Sequence, residues 1–366
     1  MKISAIDVRL YRVPPSCVWQ DAELTVNILE YVIVRLATDD GIEGYGLSYT
    51  TGAGGTAICA MIRDECVPPI VGLEITQTER IWNLLWRKLR RSGPGGINTL
   101  AIAAVDIAVW DAIAKARALP LYRVLGGASC SIKAYASGID LGMSCSELRA
   151  HLENYVRQGY TAVKIKIGRS SLREDLERIA VAREVIGRDG LLMLDANQCF
   201  SLDEAKRRVA AFQEYEPCWI EEPLVAEDVE GHAHLRRATS IPIAVGESLY
   251  SKYQFLNYLR HGAADILQTD VARVGGVTEW MKIAHLAEAW SLRLAPHYLS
   301  ELSVHLLCSI PNGLILEDVT GGSLAELGIS LSKLNCRDGT AYPTEDVPGH
   351  GIQFDWDALK RLEVKT

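Results

Sequence analysis

No long basic run occurs in these 366 residues, and the net charge is −8. That leaves no electrostatic footprint for nucleic acid or an anionic membrane, and mild acidity by itself names no partner. No uninterrupted apolar stretch reaches the length that spans a bilayer. The opening Met1-Lys2-Ile3-Ser4-Ala5-Ile6-Asp7 lacks the apolar core of a signal peptide. The nine cysteines are scattered, odd in number and without a Cys-x-x-Cys pair. They argue against a disulfide framework and against a cysteine-rich zinc site. The expectation is a protein of the reducing cytoplasm with no nucleic-acid or membrane partner.

What is present is ordinary for a globular chain, 48% hydrophobic and 23% charged. Its length exceeds one compact core and suits two domains. Residues 1 to about 50 read as an antiparallel sheet, with strand-like residues 3–13 and 31–36 and a turn at Asp39-Asp40-Gly41. Two loops, 14–20 and 50–55, are candidate lids. The first carries Trp19 but no lysine or arginine. Helices are predicted over about 56–66, 77–90 and 98–118. Loop 90–96 holds the nearby arginines Arg90 and Arg91.

From about residue 131 short apolar runs alternate with amphipathic stretches, the pattern of repeated βα units. Eight strands are predicted, at 133–138, 162–167, 191–194, 218–220, 243–245, 266–268, 293–295 and 314–316. Polar residues stand at or just after most strand ends: Lys166, Asp195, Glu221, Glu247, Asp270, His297 and Glu317. They are spaced by 20 to 29 residues, the length of one strand, one helix and two loops. This predicts an α/β fold of the (β/α)8 type. The short last step implies one abbreviated unit. Expected boundaries are 1–125 for an α+β capping domain, 126–331 for the barrel and 332–366 for a segment returning to the cap.

Residues 162–168 alternate apolar and charged side chains, so Lys164 and Lys166 share one face of a strand. In a parallel barrel the C-terminal strand ends surround one mouth. There Asp195, Glu221 and Glu247 offer oxygen ligands from neighbouring strands, a set suited to a hard cation, above all Mg2+. Glu222 is a candidate supporting partner. Asp270 and His297, on the sixth and seventh strand ends, form a candidate dyad in which the carboxylate fixes the imidazole tautomer. Glu317 would either hydrogen-bond a substrate oxygen, if protonated, or form a salt bridge. His232, His234 and His285 read as structural.

The motifs Lys164-x-Lys166, Asp195-Ala196-Asn197, Trp219-Ile220-Glu221-Glu222-Pro223 and Gly246-Glu247-Ser248 occur in that order. Asp270 with Arg273-Val274-Gly275-Gly276 and then Pro296-His297 follow. With Asp106-Ile107-Ala108-Val109-Trp110-Asp111, the whole set resembles the enolase superfamily, mandelate racemase subgroup. Residues around 221–231 and 270–305 are similar to the acid-sugar dehydratases of the talarate/galactarate branch.

The resemblance implies a modified TIM barrel, (β/α)7β, under an α+β cap, one Mg2+ per subunit, and a homo-oligomer, octameric or smaller. It implies abstraction of the proton α to the carboxylate of a small-molecule substrate, through an enediolate. Asp195, Glu221 and Glu247 would hold the metal. Lys164 would bind the substrate carboxylate and Glu317 would hydrogen-bond it. Lys166 would be the base, its pKa depressed by Lys164 and the metal. His297, oriented by Asp270, would act from the other face, and Asn197 would bind the α-hydroxyl. Trp19 would contact substrate from the cap.

Dehydration of a sugar acid to a 2-keto-3-deoxy acid is the favoured outcome. A racemase or epimerase, the reverse assignment of base and acid, and a catalytically silent relative are the alternatives. Muconate-type cycloisomerisation fits less well, because Asp270 and His297 stand where that subgroup has a lysine on the sixth strand.

Overall fold

The computed structural model describes residues 1–365. Strands Ile3–Val13, Leu29–Thr38 and Glu43–Thr50 form an antiparallel meander, and the late strand Glu363–Val364 pairs with the first of them. The 20-residue helix Ile97–Ala116 lies across this sheet. It can lie close because Gly44 and Gly46 have no side chains. A Cβ at either would sit 2.1 Å from a carbonyl oxygen of that helix, Ala108 or Ala104. The same helix is long and apolar enough to cross a membrane, but 89% of its apolar window is buried inside the protein. Asp106 and Asp111 on it are buried and hydrogen-bonded, as a core helix requires.

The predicted first helix has three parts. Gly55–Ala60 is α-helical, Met61–Cys66 widens into a π-helical turn, and Val67–Ile70 closes it. Pro68 and Pro69 have no backbone N–H to continue a normal ladder. The predicted lid loop 14–20 is partly ordered as a ribbon, in which Trp19–Gln20 pairs antiparallel with Thr25–Val26.

Eight parallel strands make the barrel: Ile132–Ser137, Ala162–Lys166, Leu191–Asp195, Trp219–Glu221, Ile243–Val245, Ile266–Leu267, Arg293–Leu294 and Leu316–Val319. The last pairs in parallel with the first, Leu316 opposite Ala134. Leu314 N donates to Leu294 O, joining the seventh strand to the eighth. Seven helices alternate with the eight strands, and the short hairpin Asn335–Arg337/Thr340–Tyr342 comes after the eighth, before the late helix Trp356–Leu362. This is a (β/α)7β barrel. The unit expected to be short keeps a helix of nine residues, Ser300–Cys308. Helix starts are set by Ser144, Ser171, Ser201 and Asp228, whose side chains accept backbone N–H bonds in the first turn.

The barrel interior is layered. Tyr135, Ala162, Met193, Trp219, Ala244, Ile266, Ala295 and Ile315, one in or directly beside each strand, form an apolar plug. Two residues further along each strand the side chain returns to the same face. That next layer is Ser137, Lys164, Asp195, Glu221, Gly246, Gln268, His297 and Glu317. The chemistry therefore sits directly on a dry floor, at the mouth beneath the cap.

Candidate active site

Lys164 and Lys166 are buried. They are 1% and 7% exposed, and both end among carboxylates. Lys164 Nζ lies 2.7 Å from Glu221 Oε1, 2.8 Å from Glu317 Oε1 and 3.4 Å from Asp195 Oδ2. Lys166 Nζ lies 2.5 Å from Asp195 Oδ2. Burial acts to lower both lysines, but the facing carboxylates outweigh it and both are raised. That balance is what the protein groups set by themselves, whereas the depression expected of Lys166 includes the charge of a metal. Asp195, whose effect that expectation omitted, is the nearest charge to Lys166.

Asp195, Glu221 and Glu247 each bring an oxygen to within 4.8 Å of the others. Burial and the neighbouring Asp195 push Glu221 upward. Three crowded, largely buried carboxylates are costly without positive charge among them. The donor set is all oxygen, so the residues fit a hard divalent cation. Glu222 stands beside this group at φ 38°, and its carboxylate accepts from Gln198 Nε2 at 3.0 Å and Ser248 Oγ at 3.4 Å. Burial and Glu247 hold Glu222 well above the usual carboxylate range.

His297 Nδ1 is 2.8 Å from Asp270 Oδ2, and its Nε2 is 3.6 Å from Glu247 Oε2. Burial lowers its basicity, while Glu247 and Asp270 raise it, and the net shift is upward. Glu317 is pushed up by burial but held down to about 2 by Lys164 and His297. Of its two expected forms it takes the salt bridge, and Tyr298 N donates to its Oε2 at 2.9 Å. Asn197, at φ 42°, donates its backbone N–H to Asp195 Oδ1 at 3.0 Å. Its buried side-chain Oδ1 has no hydrogen-bond partner among the described residues.

A cavity of about 620 Å³ opens over these groups, lined by Lys164, Lys166, Asn197, Glu247, His297 and Glu317 from the barrel. Asp195, Glu221 and Asp270 lie behind that surface, fully buried. The cap adds Trp19, Asp21, Glu23 and Leu24 from the ribbon, and Thr50, Thr51, Ala53 and Gly54 from the second loop. Trp19 packs edge-on against Tyr298, with ring centroids 6.3 Å apart. Arg90 and Arg91 do not line the cavity. Of His232, His234 and His285, none lines it either, and His232 is bonded to Asp228 O.

Every residue expected at the site is thus drawn to one place. Among the contributors not singled out in the sequence are Tyr49, Gln198, Asp21 and Glu23. Gln198 directly follows the Asp195-Ala196-Asn197 motif, which is the only local signal for it. Asp21 and Glu23 lie at and just beyond the edge of the predicted lid. Tyr49 has no local signal.

Residues 147–358 match the family model described as enolase C-terminal domain-like. Residues 5–126 match the N-terminal domain of mandelate racemase / muconate lactonizing enzyme. The chain is 34% identical to 3,6-anhydro-alpha-L-galactonate cycloisomerase of Streptomyces coelicolor, over 99% of both chains. A crystal structure described as a racemase from Streptomyces coelicolor with bound magnesium superposes with a TM-score of 0.95 at 34% identity, covering 99% of this chain and 100% of that one. The L-talarate/galactarate dehydratase of Salmonella typhimurium, liganded with Mg and L-lyxarohydroxamate, superposes at 0.94 with 30% identity, covering 100% and 93%.

Proposed function

The chain belongs to the mandelate racemase / muconate lactonizing enzyme family of the enolase superfamily, and from that premise we propose that it eliminates a β-oxygen from a sugar monocarboxylate. The favoured reaction is dehydration of a 2,3-dihydroxy acid to a 2-keto-3-deoxy acid. The observation that carries this reading is that Lys166 and His297, both able to transfer protons, line one cavity beside three clustered carboxylates.

Asp195, Glu221 and Glu247 would hold Mg2+, which, when bound, supplies positive charge against the substrate carboxylate and relieves the lysines as counter-charge. Lys164 binds a carboxylate oxygen and adds charge as the enediolate forms. Glu317 fixes Lys164. Lys166, as the free amine, takes the proton from C2. His297 Nε2, facing the cavity, delivers its proton to the oxygen on C3. The C3–O bond breaks, water leaves, and the enol takes a proton at C3 to become the 2-keto acid. Asn197 Oδ1 accepts from the 2-hydroxyl.

The cap supports a monocarboxylate. Asp21 and Glu23 line the cavity, whereas its cations, Lys164, Lys166 and Arg273, each already face a carboxylate. Burial, Asp21 and Glu247 raise Glu23, consistent with acidic surroundings. A second substrate carboxylate would meet like charge there.

A second reading has the same proton steps with a ring ether as the leaving oxygen. In a 3,6-anhydro sugar acid the oxygen on C3 belongs to the ring, so elimination opens the ring and releases no water. The full-length similarity to the 3,6-anhydro-alpha-L-galactonate cycloisomerase favours it.

The test is a panel of matched aldonates, aldarates and 3,6-anhydro aldonates, with Mg2+ in heavy water, followed by NMR. Keto product from aldonates supports dehydration, and keto product from anhydro acids alone supports ring opening. Preference for aldarates would overturn the monocarboxylate assignment. Inversion at C2 without keto product would make the enzyme a racemase.

A further inference from the structure

Tyr49 belongs to the cap, yet its hydroxyl ends in the barrel. It lies 2.5 Å from Asp270 Oδ2 and 3.3 Å from His297 Nδ1, and the residue is only 5% exposed. The other oxygen of Asp270 is fully used, since Oδ1 accepts from Ala272 N at 2.8 Å and Arg273 N at 3.2 Å. Oδ2 is therefore the oxygen free to receive the imidazole, and it is shared by two donors, Tyr49 O–H and His297 Nδ1–H. With Nδ1 committed to Asp270, Nε2 is left facing the cavity.

The position of the hydroxyl is itself fixed from several sides. Tyr49 stands opposite Tyr31 in the sheet register. Its ring packs against Tyr298 at 4.7 Å between centroids. Tyr298 directly follows His297, donates to Gly322 O at 2.9 Å and meets the Tyr31 hydroxyl at 2.6 Å. The strand bearing Tyr49 is held flat on the helix Ile97–Ala116.

We infer that Tyr49 is a positioning residue, a third member of the His297–Asp270 pair, through which the capping domain orients the imidazole for proton delivery to the leaving oxygen. It holds Oδ2 where only one ring orientation satisfies both donors. Tyr49 thus joins the capping domain directly to the pair. The role of His297 in this statement rests on the reaction proposed above, so one arm of the test does not depend on turnover.

Two variants are compared, Tyr49→Phe and Tyr31→Phe. Each removes one buried hydroxyl from the same tyrosine cluster, but Tyr31 touches neither Asp270 nor His297. With the best substrate of the panel, Tyr49→Phe lowers kcat for elimination about 10- to 100-fold, the worth of one hydrogen bond to a charged group. It leaves KM within about twofold and retains exchange of the C2 proton with solvent. Tyr31→Phe leaves the ratio of exchange to elimination unchanged. Exchange and elimination falling together in Tyr49→Phe, or neither falling, would overturn the inference.

The second arm is proton NMR of the Mg2+-loaded enzyme. The downfield Nδ1 proton of His297 is identified by its loss in His297→Asn. It moves in Tyr49→Phe and stays in place in Tyr31→Phe. An unmoved signal in Tyr49→Phe overturns the inference even if no panel compound is turned over, and that latter outcome counts against the proposed reaction instead.

Discussion

Lys164 and Lys166 show how much one carboxylate decides. Both ammonium groups lean on Asp195, at 3.4 and 2.5 Å. Asp195 also belongs to the three-carboxylate cluster, so under the proposed reaction the same side chain would serve both the lysines and the metal. Asp195→Asn keeps the size and removes the charge. It lowers Mg2+ affinity at least about tenfold by titration calorimetry, the minimum expected when a charged ligand is lost. Equal affinity in the variant would move the metal to other residues. The two lysines were legible because a period-two strand puts both on one face, and the barrel repeat turns that face inward. Their charge state was not, because it depends on Asp195 and Glu221, which lie far along the chain and arrive only with the fold. Tyr49 was invisible for the same reason: its partner Asp270 is 221 residues away.

At the scale of elements, the strands and their ends were readable because each is a short apolar run ending in a polar residue. The eighth was read two residues early, as 314–316 where the strand is Leu316–Val319. Leu314 and Ile315 are apolar but precede the paired stretch, so Glu317 lies inside the strand. The helix Ser300–Cys308 is buried along its whole length, and this exposes it to acid. Its His305 packs against Tyr122, with ring centroids 6.0 Å apart, and accepts from Tyr122 N. Burial, with the nearby His350, pulls His305 down to about 3 from 6.5. The unfolded chain therefore takes up a proton near pH 6.5 that the native protein refuses until about pH 3. The stability from a neutral His305 is full above that upper value and is lost as pH falls through this window. Denaturant titrations from pH 7 to 4 show a flatter decline in His305→Gln than in the parent. An identical slope in both would mean that His305 titrates freely in the native state.

The whole molecule divides the work between two bodies. The barrel brings the lysines, the carboxylates and the His297–Asp270 pair to one mouth, and the cap closes it with Trp19, Asp21, Glu23 and Tyr49. Trp82 Nε1 bonds Gly275 O at 2.8 Å, and Thr278 donates to Asp106 at 2.6 and 2.8 Å, so the cap is tied to the sixth-strand loop that carries Asp270. Both Lys166 and His297 line the cavity, and in the proposed reaction they act at different stages on one substrate. The central claim is this division: Lys166 breaks the C2–H bond, and His297 releases the oxygen on C3. The measurement is NMR in heavy water of C2 exchange and keto product together, for the parent, Lys166→Ala and His297→Asn, with Mg2+ present. The account predicts that Lys166→Ala loses both by about 10²- to 10⁴-fold, the usual worth of a general base. His297→Asn keeps the exchange and loses the product by a similar factor. Elimination persisting in His297→Asn, or exchange persisting in Lys166→Ala, would contradict it.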